Sequence, residues 1–335
     1  MEKQTNNNRK DILLSVRNLK VQYTAGGEVI QAVNDVSFEL KRGQTIGLVG
    51  ETGAGKTTIA KSILRILPDP PAKVAGGEIF LEGQELLSIP EKEMRRIRGN
   101  KISMIFQDPM TALNPVFSVG SQIEEVIRLH NEKISNHEMV QKAMEMLELV
   151  GISRNRYHEY PHQFSGGMKQ RVIIAMALAC NPLLLLADEP TTALDVTIQA
   201  QVLDMMYRLK EQYHTSMIMI THDMGIVAEV CDVVAVVYAG EIVELAGKEA
   251  LFDHPMHPYT RGLFDCIPDI GKKTDLLYTI PGTLPNPASL PEGCYFHPRC
   301  SYAAEACKQG RIPMTEVEQG HFCRCCRLEG QEEQS

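Results

Sequence analysis

The stretch Gly50-Glu-Thr-Gly-Ala-Gly-Lys-Thr57 decides the fold of this chain. It joins a short apolar run, residues 44–49, which predicts a buried strand, to a helical pattern over residues 56–66. Glycines let successive backbone N–H groups point at an anion, and the N-terminus of the following helix adds partial positive charge. Lys56 then supplies a full charge to the β- and γ-phosphates, and the Thr57 hydroxyl a magnesium ligand. We therefore predict a nucleotide phosphate loop, since an incidental glycine-rich turn needs neither the Lys-Thr pair nor these flanks.

Two adjacent acids end a second apolar run, Leu183-Leu-Leu-Leu-Ala-Asp-Glu189. Such a run is typical of a strand buried in a parallel sheet, and it delivers its last residues to the edge where ligands bind. Asp188 is then placed to hold magnesium through the water shell of the ion, and Glu189 to polarise the water that attacks the γ-phosphate. Considered alone, either acid could be the N-cap of a helix. Together with the phosphate loop, the pair predicts nucleotide hydrolysis.

A third motif, Phe164-Ser-Gly-Gly-Met-Lys-Gln-Arg171, lies directly before an apolar helical run. Ser165, Gly166 and Gly167 at a helix start expose several N–H donors and one hydroxyl, which makes a second anion site. A plain serine N-cap explains Ser165 but not the paired glycines. The spacing leaves open which nucleotide this site serves.

Two single polar residues follow predicted strands. Gln107 precedes Asp108-Pro109 and is placed to reach magnesium or the attacking water, although a turn residue is the alternative. His222, in Ile220-Thr-His-Asp223, is placed to touch the γ-phosphate, although a lone histidine is more often structural. Both are weaker candidates than the three motifs.

The composition is that of an acidic globular chain: 335 residues, 44% hydrophobic and 23% charged, with a formal net charge of -8. This balance speaks against nucleic acid as a ligand, because a phosphate backbone favours a basic surface. The longest apolar run, residues 172–180, is shorter than the roughly 20 residues that span a bilayer. The first residues also lack the apolar stretch of a signal peptide. We therefore expect a protein that is made in the cytoplasm and stays there.

Strands that alternate with helices indicate an α/β fold. Beyond about residue 252, Pro, Gly and Cys become frequent and this alternation fades, which indicates a second, smaller unit. We expect a nucleotide-binding domain over residues 1–255, with a helical subdomain over about 109–170, and a C-terminal extension over 256–335. The predicted strands cover residues 13–40 with a turn at Gly26-Gly27, 44–49, 101–107, 183–187, 216–220 and 233–238, and the predicted helices 56–66, 140–150 and 198–209.

In this order the motifs resemble those of the ATP-binding cassette (ABC) ATPases, over roughly residues 12–255. The resemblance implies a P-loop NTPase core with an antiparallel β subdomain and a helical insertion. It gives Gln107, Glu189 and His222 to catalysis, and Thr57, Gln107 and Asp188 to Mg²⁺. The residues implied in ATP binding are Tyr23, Gly50, Glu51, Thr52, Gly53, Ala54, Gly55, Lys56, Thr57, Thr58, Ser165, Gly166, Gly167 and, in the D-loop Ala193-Leu-Asp195, Asp195.

Three details qualify this resemblance. The signature departs from the commoner Leu-Ser-Gly-Gly-Gln at Phe164 and Met168, but the central Ser-Gly-Gly matters more. Tyr23 stands where the family places an aromatic ring that stacks on adenine, and a core tyrosine in an edge strand is the competing interpretation. In the family, two cassettes close head to tail and the signature of one covers the ATP of the other. We therefore expect a lone chain to be a poor ATPase.

The sequences of several segments resemble those of the D-type ATPase subunits of dipeptide and oligopeptide importers. This second resemblance covers nearly the whole chain. The resemblance implies two permease subunits, a second ATPase that is a related F-type subunit or a further copy, and an extracytoplasmic solute-binding protein. It places the complex at the cytoplasmic face of a bacterial inner membrane. The segments are residues 105–115, 164–171, 187–196, His257-Pro-Tyr-Thr260 and Gly293-Cys-Tyr-Phe-His-Pro-Arg-Cys300.

Six of the nine cysteines lie in the last 42 residues, and in a reducing cytosol such clusters more often bind metal than form disulfides. Members of the importer family with this pattern are associated with a [4Fe–4S] cluster, which the resemblance assigns to Cys294, Cys300, Cys307 and Cys325. Cys323 and Cys326 leave the fourth ligand open. Zinc is the main rival, with His297 and His321 nearby, and free thiols are a third option. The spacings lack the paired Cys-x2-Cys of most zinc sites.

Two other classes of function fit parts of the sequence. Soluble ABC proteins of translation or DNA repair carry two cassettes or a long coiled coil, whereas this chain has one cassette, no sustained heptads and no basic patch. A third class is a switch that binds ATP without hydrolysing it. The predicted role of Glu189 in polarising the attacking water distinguishes an ATPase from such a switch. The transport ATPase is the leading hypothesis.

Overall fold

The fold is known from a computed structural model, which describes residues 11–131, 133–192, 194–267 and 278–328. Within these ranges no helix is long and apolar enough to cross a membrane. The strands are β1 (Ile12–Ala25), β2 (Glu28–Lys41), β3 (Thr45–Val49), β4 (Ala72–Leu81), β5 (Gln84–Glu85), β6 (Ile102–Ile105), β7 (Leu184–Asp188), β8 (Ser216–Thr221), β9 (Val233–Tyr238), β10 (Glu241–Gly247), β11 (Thr315–Glu318) and β12 (His321–Cys323). The helices are α1 (Lys56–Ile63), α2 (Glu91–Ile97), α3 (Pro109–Ala112), α4 (Val119–His130), α5 (Asn136–Leu149), α6 (Gly166–Leu178), α7 (Val196–Tyr213), α8 (Met224–Val230), α9 (Lys248–Asp253) and α10 (Pro258–Asp265).

The chain forms two compact units, each built from several segments. The first unit contains the residues up to Leu13, Leu40–Thr45 and Ser88–Met219. The second contains Leu14–Glu39, Ile46–Leu87 and the chain from Ile220 onward.

The second unit holds an antiparallel sheet with the strand order β2-β1-β4-β5. β1 runs against β4, with Leu14 opposite Leu81 and Tyr23 opposite Ala72. Phe80 lies opposite Glu85 where β4 pairs with β5. The antiparallel β subdomain that the resemblance implied is therefore present.

The same unit contains part of a second, mixed sheet. β3 is parallel to β9, with Val49 opposite Val236, and every residue of β3 is buried. β10 pairs antiparallel with β9 and with β12, which in turn pairs with β11. The C-terminal segment thus continues the sheet that begins next to the phosphate loop.

The first unit combines parallel strands with helices. β6 and β7 are parallel, with Ile105 opposite Ala187, and β7 is buried throughout, as its continuous apolar run predicts. α5 begins with a complete capping box, in which Ser135 and Glu138 each accept a hydrogen bond from the other's backbone N–H. α4 begins at the cap Ser118. Helices are therefore the main elements between residues 109 and 170, where the sequence predicts the insertion.

The predicted strands and helices are all present, with shifts of a few residues at their ends. The helix after the loop ends at Ile63, before residue 66, and Arg65 follows it with a φ of 52°. α10 lies beyond residue 252, where the sequence does not predict regular helices, and it begins at Pro258. Proline suits the first turn of a helix, where its missing N–H would have no partner.

Candidate nucleotide site

Two glycines fix the shape of the phosphate loop. Gly50 has a φ of 150°, and a Cβ there would lie 2.1 Å from the carbonyl oxygen of Val237. Gly55 has a φ of 103°, and its Cβ would lie 2.4 Å from the carbonyl oxygen of Ala32. Because both clashes involve backbone, no other residue fits at either position without moving the loop.

Lys56 turns back into the loop. Its ammonium donates to the carbonyl oxygens of Gly50, at 2.7 Å, and of Glu51, at 3.0 Å. Lys56 is only 6% exposed. Thr57 follows it in the first turn of α1 and is half-buried, while Thr52 and Gly53 at the tip of the loop are exposed. The loop therefore presents a lysine charge and a helix N-terminus together, which suits the phosphates of a nucleotide.

Glu51 has partners that the sequence analysis missed. Its carboxylate receives two hydrogen bonds from the Arg299 guanidinium, at 2.6 and 2.9 Å. Its backbone N–H donates to the Tyr259 hydroxyl at 2.8 Å. Tyr259 lies in His257-Pro-Tyr-Thr260 and Arg299 in the segment 293–300. Both segments resemble the importer family but had no assigned role. The charge of Arg299 in such a segment was the one feature of the sequence that could have suggested a functional contact.

Tyr23 lies near the start of α1. It is half-buried, and its hydroxyl is 3.4 Å from the Thr58 hydroxyl oxygen. β1 has a neighbour on each side and is not an edge strand. The ring is held beside the residue that follows the magnesium-ligand candidate Thr57.

In the first unit, Gln107 and Thr192 both donate to one oxygen of Glu189. The Gln107 amide nitrogen is 2.9 Å and the Thr192 hydroxyl 3.0 Å from Oε2 of Glu189. Glu189 has a φ of 47°, a strained conformation for a non-glycine residue that is common at functional sites. Asp188, just before it, is 2% exposed. Two neighbouring side chains thus orient the predicted water-polarising carboxylate.

Neither acid of this pair is a helix cap. The next helix, α7, begins at Val196, and its cap is Asp195, whose carboxylate accepts from the N–H of Ile198 at 3.0 Å. The N-cap interpretation of Asp188 and Glu189 is therefore wrong, and it applies instead to Asp195. Ala193 of the D-loop lies outside the described residues.

The signature serine is a cap as well. Ser165 Oγ accepts from the N–H of Met168 at 3.4 Å, at the start of α6. A Cβ at Gly167 would lie 2.5 Å from Cγ2 of Ile198, so packing requires this glycine. A Cβ at Gly166 would meet no atom within 4 Å. Capping explains the serine at position 165, and packing explains the glycine at position 167. Contacts among the described residues do not explain the glycine at position 166.

His222 lies in the turn after β8 and is exposed. The residues on either side fix this turn, since the N–H of Asp223 donates to the Thr221 hydroxyl at 3.0 Å and Asp223 caps α8. The imidazole therefore projects from a rigid strand end, a position from which it can act on a ligand.

The cysteines predicted to bind a cluster line one small cavity. Cys294, Cys300, Cys307 and Cys325 contribute to it, together with Cys326. The sulfur atoms of Cys307 and Cys326 are 3.1 Å apart. Within the described part of the chain, however, no group of three or more His, Cys, Asp or Glu side chains is arranged to hold a metal ion. The structure thus gathers the thiols without the geometry of a metal site.

The electrostatics of these thiols follow from burial. Desolvation raises the pKa of Cys294 to about 11, so the thiol is protonated near neutral pH.

Cys323 lies in β12 and does not line the cavity. His321 pairs with Glu244, with Nε2 2.8 Å from the carboxylate, whereas His297 lines the cavity. Of the two histidines proposed as zinc ligands, only His297 faces the thiols.

Comparisons with known proteins agree with the site. Residues 33–192 match the family described as ABC transporter, and residues 243–307 match the oligopeptide/dipeptide transporter C-terminal region. The chain is 48% identical to a probable peptide ABC transporter ATP-binding protein of Sinorhizobium fredii, over 96% of each chain. It is also 48% identical to the oligopeptide transport ATP-binding protein OppD of Bacillus subtilis, over 93% of this chain and 88% of the relative.

Solved structures lead to the same family. A dimeric ATP-binding cassette in a post-hydrolysis state, bound to ADP and Pi, superposes with a TM-score of 0.64 at 26% identity. The match covers 70% of this chain and 99% of the cassette. With the loop, the acid pair and the signature present in one chain, and with such relatives over at least 93% of its length, the protein belongs to the ABC transporter ATP-binding proteins, in the branch of ATPases that power oligopeptide and dipeptide import.

Proposed function

We propose that the residues described above bind Mg-ATP and hydrolyse it, and that this hydrolysis powers peptide import through two membrane permease subunits. The observation that carries the proposal is the phosphate loop, in which Gly50 and Gly55 allow no side chain and Lys56 is held inside. Such a loop binds the phosphates of a nucleoside triphosphate.

The second unit supplies the groups that bind the phosphates and the base. The N–H groups of residues 50–58 and the ammonium of Lys56 bind the phosphates, and the Tyr23 ring packs on the adenine. The family assigns magnesium to Thr57, Gln107 and Asp188, and the ion supplies charge neutralisation at the phosphates when bound. His222 donates to the γ-phosphate, where charge changes during hydrolysis.

The first unit supplies the hydrolytic groups. Glu189 holds the attacking water in line with the γ-phosphate and accepts a proton from this water. Gln107 and Thr192 restrain this carboxylate by two hydrogen bonds to one oxygen. Because these donors fix the rotamer, the carboxylate is oriented before ATP arrives.

A second cassette completes the reaction. Ser165, Gly166 and Gly167 act on the ATP of a partner, with Asp195 near the junction. Gly166 supports this step, since nothing among the described residues comes within 4 Å of its missing side chain. The partner is a related F-type ATPase subunit or a second copy of this chain.

The helical insertion contacts the permeases at the cytoplasmic face of the inner membrane, and a solute-binding protein delivers the peptide on the other side. Val116 and Phe117 support this docking, because both are exposed in the segment between α3 and α4. Exposed apolar side chains close together are typical of protein contacts.

For the extension over residues 256–335, we propose a [4Fe–4S] cluster held by Cys294, Cys300, Cys307 and Cys325. What supports this proposal is that the four cysteines line one cavity, and as thiolates they would be the ligands of the cluster. Cys326 is the alternative fourth ligand, because it lines the cavity as well. Such a cluster would cross-link the extension and serve stability.

Metal analysis tests this part. The chain is purified without oxygen and its iron, sulfide and zinc are measured, with C231S as a control that keeps all the terminal cysteines. About four irons and four sulfides per chain, lost in C300S but not in C231S, support the cluster. One zinc per chain without iron contradicts it.

Steady-state ATP hydrolysis by the assembled transporter tests the main proposal. E189Q keeps the shape of the side chain but cannot accept the proton, so turnover falls by roughly 100-fold or more while ATP binding persists. E229Q changes an exposed glutamate in α8 and is the matched control. Wild-type turnover in E189Q would show that another group positions the water.

A further inference from the structure

Two C-terminal motifs meet at one residue of the phosphate loop. Arg299 forms a bidentate pair with the Glu51 carboxylate, with N–O distances of 2.6 and 2.9 Å. Tyr259 accepts a hydrogen bond from the backbone N–H of the same Glu51 at 2.8 Å. Such a forked contact fixes both the position and the plane of the carboxylate.

Arg299 is itself held firmly. Its side chain is 5% exposed, whereas that of Glu51 is 30% exposed. Its Nε donates to the carbonyl oxygen of Pro281 at 2.8 Å, and its guanidinium also reaches the Tyr238 hydroxyl at 3.4 Å. A buried arginine with this many acceptors does not rearrange freely, so Glu51 is attached to a rigid support.

Tyr259 is anchored by aromatic packing. Its ring lies 4.6 Å from that of Tyr238 and 5.4 Å from that of Phe296, measured between centroids. Phe296 belongs to the segment 294–300, here called the cysteine turn, which also carries Arg299 between Cys294 and Cys300. The two contacts to Glu51 therefore share one support.

Glu51 passes this restraint to the phosphate-binding lysine. Its carbonyl oxygen accepts from the Lys56 ammonium at 3.0 Å, so three parts of Glu51 are engaged at once. If the carboxylate or the N–H is released, the acceptor of Lys56 shifts as well. The position of the lysine charge thus depends on the cysteine turn.

We infer that Arg299 and Tyr259 are positioning residues of the ATP site, which act through Glu51 to hold the phosphate loop in the shape that binds ATP. The C-terminal extension is then part of the nucleotide machinery, and a change in the cysteine turn alters ATP affinity. This inference rests on the proposed role of the phosphate loop.

The test is ATP affinity of the purified full-length chain, measured by calorimetry with Mg²⁺. R299A weakens ATP binding about tenfold, as expected when a charge-assisted contact to a partly exposed carboxylate is lost. Y259F keeps the aromatic ring and weakens binding about threefold, because only one neutral hydrogen bond is lost. In the assembled transporter, R299A raises the KM for ATP while kcat changes less than twofold.

R311A is the matched control. Arg311 also lies in the C-terminal segment and pairs with Asp35 and with Glu241, but it has no contact with the phosphate loop. It leaves ATP affinity unchanged. If R311A weakens ATP binding as much as R299A does, the effect is general loosening of the extension and the inference is wrong.

A double-mutant cycle tests the route through Glu51. R299A has no further effect on ATP affinity in the E51A background if Arg299 acts through this carboxylate, whereas additive losses contradict the inference. R299K restores part of the affinity, since it keeps the charge but not the fork. If R299A does not fold, R299K and Y259F carry the test.

The outcomes separate the two proposals. If the wild type does not bind ATP, or if K56A binds it normally, the proposed function itself fails. If the wild type binds ATP, K56A does not, and both R299A and Y259F bind it as tightly as the wild type, only the positioning role fails.

Discussion

The phosphate loop and the cysteine turn, both in the second unit, are fixed in different ways. The shape of the loop depends on residues of its own motif, because a side chain at Gly50 or Gly55 would meet the backbone oxygen of Val237 or Ala32 and because Lys56 bonds to carbonyls of the loop. The cysteine turn is fixed by contacts with distant residues, among them Arg299 with Glu51, 248 positions apart. A requirement for particular residue types at a fixed spacing leaves a motif in the sequence, whereas the pairing of two distant side chains does not.

The first way to test this difference is to remove a buried anchor of the extension. Glu244 in β10 is fully buried and accepts hydrogen bonds from the N–H groups of Met256, at 2.7 Å, and His257, at 2.9 Å. His321 lies on its other side. E244A leaves these donors without an acceptor, so we expect a loss of about 3 to 5 kcal/mol of stability. Urea unfolding measures it.

E249A, at an exposed glutamate in α9, is the control for this experiment and shifts the midpoint little. If E244A unfolds at the same urea concentration as the wild type, the extension is not held by its buried contacts.

The second test concerns the requirement for glycine in the loop. G55A adds a Cβ to a residue with a φ of 103°, 2.4 Å from the carbonyl oxygen of Ala32, so the loop has to move. We expect a loss of about 1 to 3 kcal/mol of stability and more than tenfold weaker ATP binding. Calorimetry and thermal unfolding measure the two effects.

Gly83 is a matched control for G55A. It has a φ of 80°, and a Cβ there would meet no atom within 4 Å. G83A therefore carries the backbone strain without the clash and keeps normal ATP affinity. Equal loss of ATP binding in both variants would mean that backbone strain at a positive φ weakens ATP binding wherever it occurs. The clash of the Gly55 Cβ with Ala32 would then not be the cause.

The same difference explains what the sequence could predict. Buried parallel strands such as β3 and β7 appear as continuous apolar runs, and the loop between β3 and α1 has its own motif, so both were predicted. The sequence did not identify Asp195 as a helix cap, because Asp188 and Glu189 also precede this helix and an acid before a helix suits an N-cap. The contacts of Glu51 could not be predicted, since Tyr259 and Arg299 lie 208 and 248 positions from it and their motifs do not indicate this partner.

A smaller effect is expected at Tyr23, whose ring the proposal places on the adenine. Y23A removes the ring and weakens ATP binding roughly threefold to tenfold, the range of one aromatic contact. Y23F keeps the ring, loses only the hydroxyl near Thr58, and binds ATP like the wild type. Tripolyphosphate binding, measured by competition, stays unchanged in both. If Y23A weakens tripolyphosphate equally, the ring supports the loop and not the base.

The smallest effect is expected at Cys231, a cysteine far in sequence from the terminal cluster. Burial raises its pKa from 9.0 to about 12, so at pH 8 its reactive thiolate fraction is about a thousandfold lower than that of an ordinary thiol. Iodoacetamide at pH 8 leaves Cys231 unmodified in the folded chain and labels it in urea, as mass spectrometry of peptides shows. Removing bound metal with a chelator increases labelling of Cys294 and Cys300 but not of Cys231. A Cβ at Gly47 of β3 would lie 2.9 Å from the sulfur of Cys231, so this thiol is packed against the strand that leads to the phosphate loop. Labelling of Cys231 together with those two would mean that metal loss opens the packing at β3, and that local burial does not protect Cys231.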